Sequence, residues 1–275
     1  MGLTRNALQA HMVGAAAVVL LAACSHRGEP QPKSAPAAGL GPKEGLVTAI
    51  ARDGVVVSGE RYFGGLADDA PLIHLFHQGR ADGRGEYAPL VGWLNEHGYR
   101  AIAWDLRAGG DVFGGENRTA ATVGDAPAEY CDAYADVEAA LTAGAALAGR
   151  APVIVWGSSY SGALVFQAAA KLPDKIAGVL AFSPAAGGPL AACRAGLFLD
   201  RVTAPAAVFR PASEMALESA QAQRAAFEAA RVSFHVIEGE THGSSMLVDS
   251  RAGADRSAAR ALVMEWLDHT VGKRR

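Results

Sequence analysis

Cysteine is scarce in this sequence: three in 275 residues, with no CxxC pair among them. An HExxH segment and a phosphate-cradling glycine loop are also missing, so no metal or cofactor is expected. There is no excess of positive charge. The formal net charge is −3, which offers no basic surface for nucleic acid, and no such partner is expected. Charged residues make up only 19% of the chain, in short runs of mixed sign, while half is hydrophobic; that composition fills a core and excludes a disordered protein. An apolar run long enough to span a bilayer is lacking as well. MVGAAAVVLLAA (12–23) has the length of a signal-peptide core and no more. No internal repeat is present.

That run has a defined context. One positive charge, Arg5, precedes it without any acid, and it ends in Leu21-Ala22-Ala23-Cys24. This tetrapeptide resembles the lipobox of bacterial lipoprotein signal peptides, which implies a lipid on Cys24 and membrane attachment through it. Ser25 in place of Asp implies outer-membrane sorting, hence a site in the bacterial cell envelope on the periplasmic side. The alternative is an ordinary secretory signal with Cys24 incidental. Residues 1–23 are thus read as signal peptide. Residues 24–45, rich in Pro, Ala and Gly, are read as a flexible tether, and residues 46–275 as one folded domain. Export would place Cys131 and Cys193 in an oxidising compartment, either as a disulfide or as two separate buried thiols.

From Leu46 onward, strand-like runs alternate with amphipathic helices. LVTAIARDGVVVSGERYFGG predicts two strands around an Asp53-Gly54 turn. PLIHLFH (71–77) is a short apolar run of the kind buried on both faces, and YRAIAWD (99–105), PVIVWG (152–157), IAGVLAFS (176–183), PAAVFR (205–210) and SFHVIEG (233–239) are read as further strands. Helices are predicted within 85–98, with Leu90, Trp93 and Leu94 on one side, and over 131–149, 161–173, 218–232 and 257–271. The predicted fold is α/β: about eight strands in a mostly parallel sheet with helices on both faces. Ligands of such sheets gather beyond the carboxyl ends of the strands.

VIVWGSSYSG (153–162) is one of those ends. A serine held on a sharp strand-to-helix turn needs small residues two places before and two after it. Ser158 has Trp156 and Tyr160 there, and Ser161 already lies within the helix. Ser159 has Gly157 and Ser161, so sterics select Ser159.

A serine hydroxyl needs a histidine base oriented by a carboxylate. In the chain order serine, acid, histidine, only His235, His242 and His269 of the eight histidines are available. His235 falls within a strand and His269 within the closing helix, whereas His242 sits in the polar loop GETHGSSML. The acid is expected beyond PAAVFR, at Glu214. Asp200 precedes that strand, and Glu238 and Glu240 leave the same strand as His242. Two backbone N–H groups would stabilise the oxyanion: Tyr160, after the serine, and either Gln78 or Gly79 in LFHQGRADGRGEY.

The segments LFHQG, AWDLRAGG, WGSSYSG, PAAVFRPASE and THGSSML together resemble the α/β-hydrolase superfamily from about residue 46 to 272, including esterases and dienelactone hydrolases. Asp105 and Arg107 match its D-x-R segment, which organises loops. His77-Gln78-Gly79 departs from the usual HG pair, the acid is Glu rather than Asp, and Ser161 replaces the last glycine of G-x-S-x-G. The interval 183–205 is too short for a large lid. The resemblance implies a serine hydrolase with Ser159, His242 and Glu214 cleaving a small-molecule ester. A peptidase or amidase of the same fold is the alternative within the enzymes, and a non-catalytic envelope binding protein the alternative outside them. Oligomeric state is not legible.

Overall fold

The computed structural model describes residues 44–124 and 128–272. The signal peptide, Cys24 and the tether up to residue 43 lie outside the described residues.

β1 (Gly45–Ile50) and β2 (Val56–Tyr62) form an antiparallel hairpin across the Asp53-Gly54 turn, where Gly54 takes φ +87. The first strand begins one residue ahead of the expected boundary, and the Glu44 carboxylate before it accepts from the Phe63 and Gly64 N–H groups at 3.2 and 2.8 Å. β3 (Leu72–Phe76), α1 (Gly83–Glu96), β4 (Arg100–Trp104), the short turn α2 (Ala120–Val123) and α3 (Tyr134–Ala148) follow. The second half is β5 (Val153–Ser158), α4 (Tyr160–Lys171), β6 (Gly178–Phe182), β7 (Ala206–Pro211), α5 (Glu218–Ala229), β8 (Ser233–Ile237), the single turn α6 (Asp249–Ala252) and α7 (Ser257–Thr270).

The strands form one eight-stranded sheet in the order β1-β2-β4-β3-β5-β6-β7-β8, parallel from β4 to β8. Its inner strands are mostly apolar because both faces are covered. Alternate side chains go to opposite sides: Val155 of β5 packs with α3, α4 and α5, while Ile154 and Trp156 pack with α1 and α7. On α1 the buried side is Glu86, Tyr87, Leu90, Val91 and Leu94, and Trp93, partly buried, packs against the same core as Leu90 and Leu94.

α3 starts at Tyr134 and not at Cys131, since Cys131 sits in the preceding turn, bonded to Cys193 (Cα–Cα 5.6 Å). Residues 183–205 form only three short 3₁₀ turns among loops. Because β4 and β5 flank β3 on opposite sides, the chain changes direction across the sheet between β3 and β5. The crevice that this reversal opens lies at the carboxyl ends of those two strands. Gln78-Gly79 follow one of them and Ser159 the other.

Candidate active site

Ser159 joins the end of β5 to the start of α4 with φ 57 and ψ −115, a conformation L-residues seldom adopt. The surroundings hold it there. Ser159 N–H donates to the Phe182 carbonyl (2.8 Å), and its own carbonyl accepts from Ala185 N–H (3.1 Å), tying the turn to the end of β6. A Cβ on Gly157 would run into the Ser161 carbonyl, so the residue two before the serine has to be glycine.

The flanking serines do more than stay small. Ser161 Oγ accepts from Ser158 N–H (2.8 Å) and donates to the Phe76 carbonyl (2.7 Å), joining the elbow to the end of β3. Ser158 Oγ accepts from Ser244 N–H (2.9 Å), just past His242.

Glu214 lies in a 3₁₀ turn (Ala212–Ala216) directly after β7. Its Oε1 is 2.5 Å from His242 Nδ1, while Oε2 accepts from Arg210 Nη1 at 2.5 Å. Arg210 is itself fixed by the Pro184 carbonyl (2.7 Å) and Gln223 Oε1 (2.5 Å). Burial opposes charge on Glu214, but the bond from His242, the charge that the imidazole carries when protonated and the charge of Arg210 outweigh it, leaving the carboxyl pKa lowered. An ionised carboxylate only accepts, so Nδ1 carries a proton, and in the neutral imidazole Nε2 is then the nitrogen with the lone pair. The His242 side chain is 46% exposed, the Glu214 side chain 14%.

Behind the histidine, Gly243 N–H donates to Ser183 Oγ (3.1 Å). Gly243 takes φ +65, and a Cβ there would collide with Ser158 Oγ and the Gln78 side chain. The loop can close onto β5 only with glycine at this point. Among the described residues, no hydrogen bond joins Ser159 to His242. Contacts of this kind are often long before substrate binds.

Of the two expected donors after β3, Gln78 is already committed: its N–H donates to Glu86 Oε2 at 2.6 Å. Gly79 N–H and Tyr160 N–H meet no acceptor among the described residues. His77 sets the direction of the Gly79 group. Its Nε2 accepts from Leu106 N–H (2.8 Å), so Nδ1 holds the proton and donates to the Gln78 carbonyl (2.8 Å). Burial lowers the His77 pKa and keeps the ring neutral. The Gln78 carbonyl and Gly79 N–H share one planar peptide and point opposite ways, so holding the carbonyl back turns the N–H forward.

His235, in β8, stacks on Phe209 at 4.7 Å, and His269 lies in the last turn of α7. Asp105 accepts from Gly83 N–H and from Arg118, and Arg107 pairs with Asp53 and Asp136, so both hold loops in place. Glu86 and Arg210 are not marked by any motif in the sequence, and His77 shows there only as a departure from the usual HG pair. The first two leave a trace: Glu86 stands one helical turn before Leu90 on the apolar side of α1, and Arg210 interrupts the apolar run of β7.

An eight-stranded sheet of this order, with a serine elbow after its fifth strand, defines an α/β-hydrolase-fold serine hydrolase. Residues 69–243 match the model of the Hydrolase_4 family, described as serine aminopeptidase, S33, and the chain belongs to that family. Among curated proteins, none matches the chain in sequence. Similar solved structures include the Pyrococcus furiosus esterase Pf2001 (14% identity, TM-score 0.62, covering 82% of this chain and 90% of that one). Est1E from Butyrivibrio proteoclasticus is similar at 15% identity and TM-score 0.63, covering 83% of this chain and 100% of its own. A dienelactone hydrolase from Anabaena variabilis follows at 18% and 0.58, covering 83% and 98%.

Proposed function

We propose that the protein is a carboxylesterase working through an acyl-enzyme on Ser159, with His242 as base and Glu214 as its orienting acid. The observation that carries this reading is the 2.5 Å contact between His242 Nδ1 and Glu214, which leaves Nε2 free for the hydroxyl of the strained elbow serine. Ser159 Oγ attacks the ester carbonyl carbon as its proton passes to His242 Nε2. Gly79 and Tyr160 N–H groups hold the oxyanion, and collapse of the tetrahedral intermediate expels the alcohol with the proton from His242. Water, deprotonated by the same imidazole, then releases the acid and restores Ser159.

The structural neighbours named as esterases and a dienelactone hydrolase support an ester substrate. The family description, serine aminopeptidase, supports the second reading, cleavage of an amide or peptide. A fluorophosphonate probe tests the nucleophile: it labels the folded protein and fails to label Ser159→Ala. Unlabelled wild-type protein overturns the enzyme reading in favour of a binding role. Nitrophenyl esters of graded chain length, assayed beside aminoacyl amides and peptides, decide the substrate; faster turnover of the amides overturns the ester assignment.

Cys24 is proposed as the lipidated N-terminus in the cell envelope, on the strength of its Leu-Ala-Ala-Cys context alone. Fractionation of Cys24→Ala tests it. The lipid reading requires the variant to leave the membrane fraction.

A further inference from the structure

Tyr130 is used by nothing in the mechanism above, yet it touches both residues whose N–H groups face the oxyanion. Its ring stacks on that of Tyr160, with centroids 4.7 Å apart and planes 28° apart. Its hydroxyl lies over Gly79, so near that a Cβ on that glycine would stand 2.8 Å from the phenolic oxygen. Since N and Cβ of one residue are about 2.5 Å apart by covalent geometry, the hydroxyl is within about 5.3 Å of Gly79 N. Tyr160 is fully buried and edge-on to His77, so the surface under Tyr130 is fixed. Tyr130 itself is half-buried, and its hydroxyl has no hydrogen-bond partner among the described residues. The next residue is Cys131, whose bond to Cys193 fastens the segment to the loop between β6 and β7.

We propose that the Tyr130 hydroxyl is a third donor to the oxyanion, held over the site by the Cys131–Cys193 disulfide. The assignment rests on Ser159 being the nucleophile. As the carbonyl oxygen gains charge beside Gly79 and Tyr160, the phenol donates its proton in a hydrogen bond without transferring it. The same requirement explains why position 79 is glycine, since a side chain there would displace the hydroxyl.

The test is Tyr130→Phe in the full chain, which removes only the oxygen. Expected is a fall in kcat of about 10- to 100-fold, at or below the usual cost of one oxyanion-hole donor. KM and the melting temperature should stay unchanged, and affinity for an aryl boronate, which forms a tetrahedral adduct on the serine, should fall in parallel. A kcat within twofold of wild type overturns the proposal, as does a loss confined to KM, which would make Tyr130 a wall of the substrate pocket. Ser159→Ala separates this from the underlying reading: if that variant keeps its turnover, the nucleophile assignment has failed whatever Tyr130 does. The anchor is tested by Cys131→Ser/Cys193→Ser with and without Tyr130→Phe. If the disulfide works through the phenol, removing the hydroxyl costs less in the double-serine background; fully multiplicative losses overturn that part.

Discussion

Glu86 Oε2 takes the Gln78 N–H at 2.6 Å, so a buried carboxylate on α1 occupies one of the two expected donors and leaves the Gly79 N–H as the uncommitted one. Burial is the main influence on Glu86 and raises its pKa from the ordinary 4.5 to about 7, against the opposing effects of its hydrogen bonds and of Arg251. Between these values the folded protein binds more protons than the unfolded chain, so this group makes stability fall as pH rises, and the full cost is reached above about pH 7. Glu86→Gln removes that slope. Melting temperatures from pH 5 to pH 8 should show the variant gaining on wild type up to about pH 7 and then running parallel to it. A constant difference would mean that Glu86 does not titrate in this range.

On the proposed mechanism Ser159 and His242 act as a unit, so Ser159→Ala and His242→Ala should each lower kcat by about 10⁴–10⁶ and the double variant should be no worse than either one. Glu214→Gln keeps the shape but not the charge, and a loss of about 10²–10⁴ is expected. Ester hydrolysis under saturating substrate reads all four. Multiplying losses would place one of the residues outside the reacting group.

Among the described residues, Arg210 is the one arginine or lysine bonded to Glu214. Its charge helps to hold the Glu214 pKa down, so Arg210→Met should raise it. The carboxylate would then be protonated at higher pH, and the acid-side fall in kcat should move upward while the rate on the plateau changes less. A pH–rate profile from 4 to 9 checks the direction. An unmoved acid limb would show that Glu214 does not govern it.

Ser161→Ala takes from the buried Ser158 N–H its acceptor and breaks the tie to Phe76. A loss of about 1–3 kcal/mol in urea unfolding is expected, the cost of stranding a buried donor. Ser161→Gly, which restores the commoner G-x-S-x-G spelling, should be destabilised as well. A neutral result for both would mean that the elbow closes without the hydroxyl.

The fold was legible because the inner strands are parallel and covered on both faces, so each shows itself as a short apolar run bounded by a turn. The elbow was legible because Ser158 has bulky residues two places away on both sides and Ser161 lies within the helix, which leaves Ser159. The meeting of Glu214 with His242 could be read from the order of strands, since two loops leaving the same end of adjacent strands β7 and β8 must face each other. What lies beneath and above the site was not legible. Glu86 reaches Gln78, and Tyr130 reaches Gly79, through the packing of α1 and of the loop before α3, which no local spacing encodes. The choice between Gln78 and Gly79 was open in the sequence for the same reason, since it depends on a carboxylate from the next helix. Cys131 and Cys193 likewise gave no separation until the chain between them was folded.

His242 stands nearly half open to solvent, with only short turns between β6 and β7. On the proposed mechanism, an acyl group on Ser159 then has no dry interval after the alcohol departs: the imidazole that has just given up its proton already has water beside it. On the same mechanism, partition between hydrolysis and transfer to another alcohol follows the concentration of each nucleophile. On that mechanism the acyl group passes to whichever nucleophile reaches it first, and in dilute aqueous surroundings that nucleophile is water.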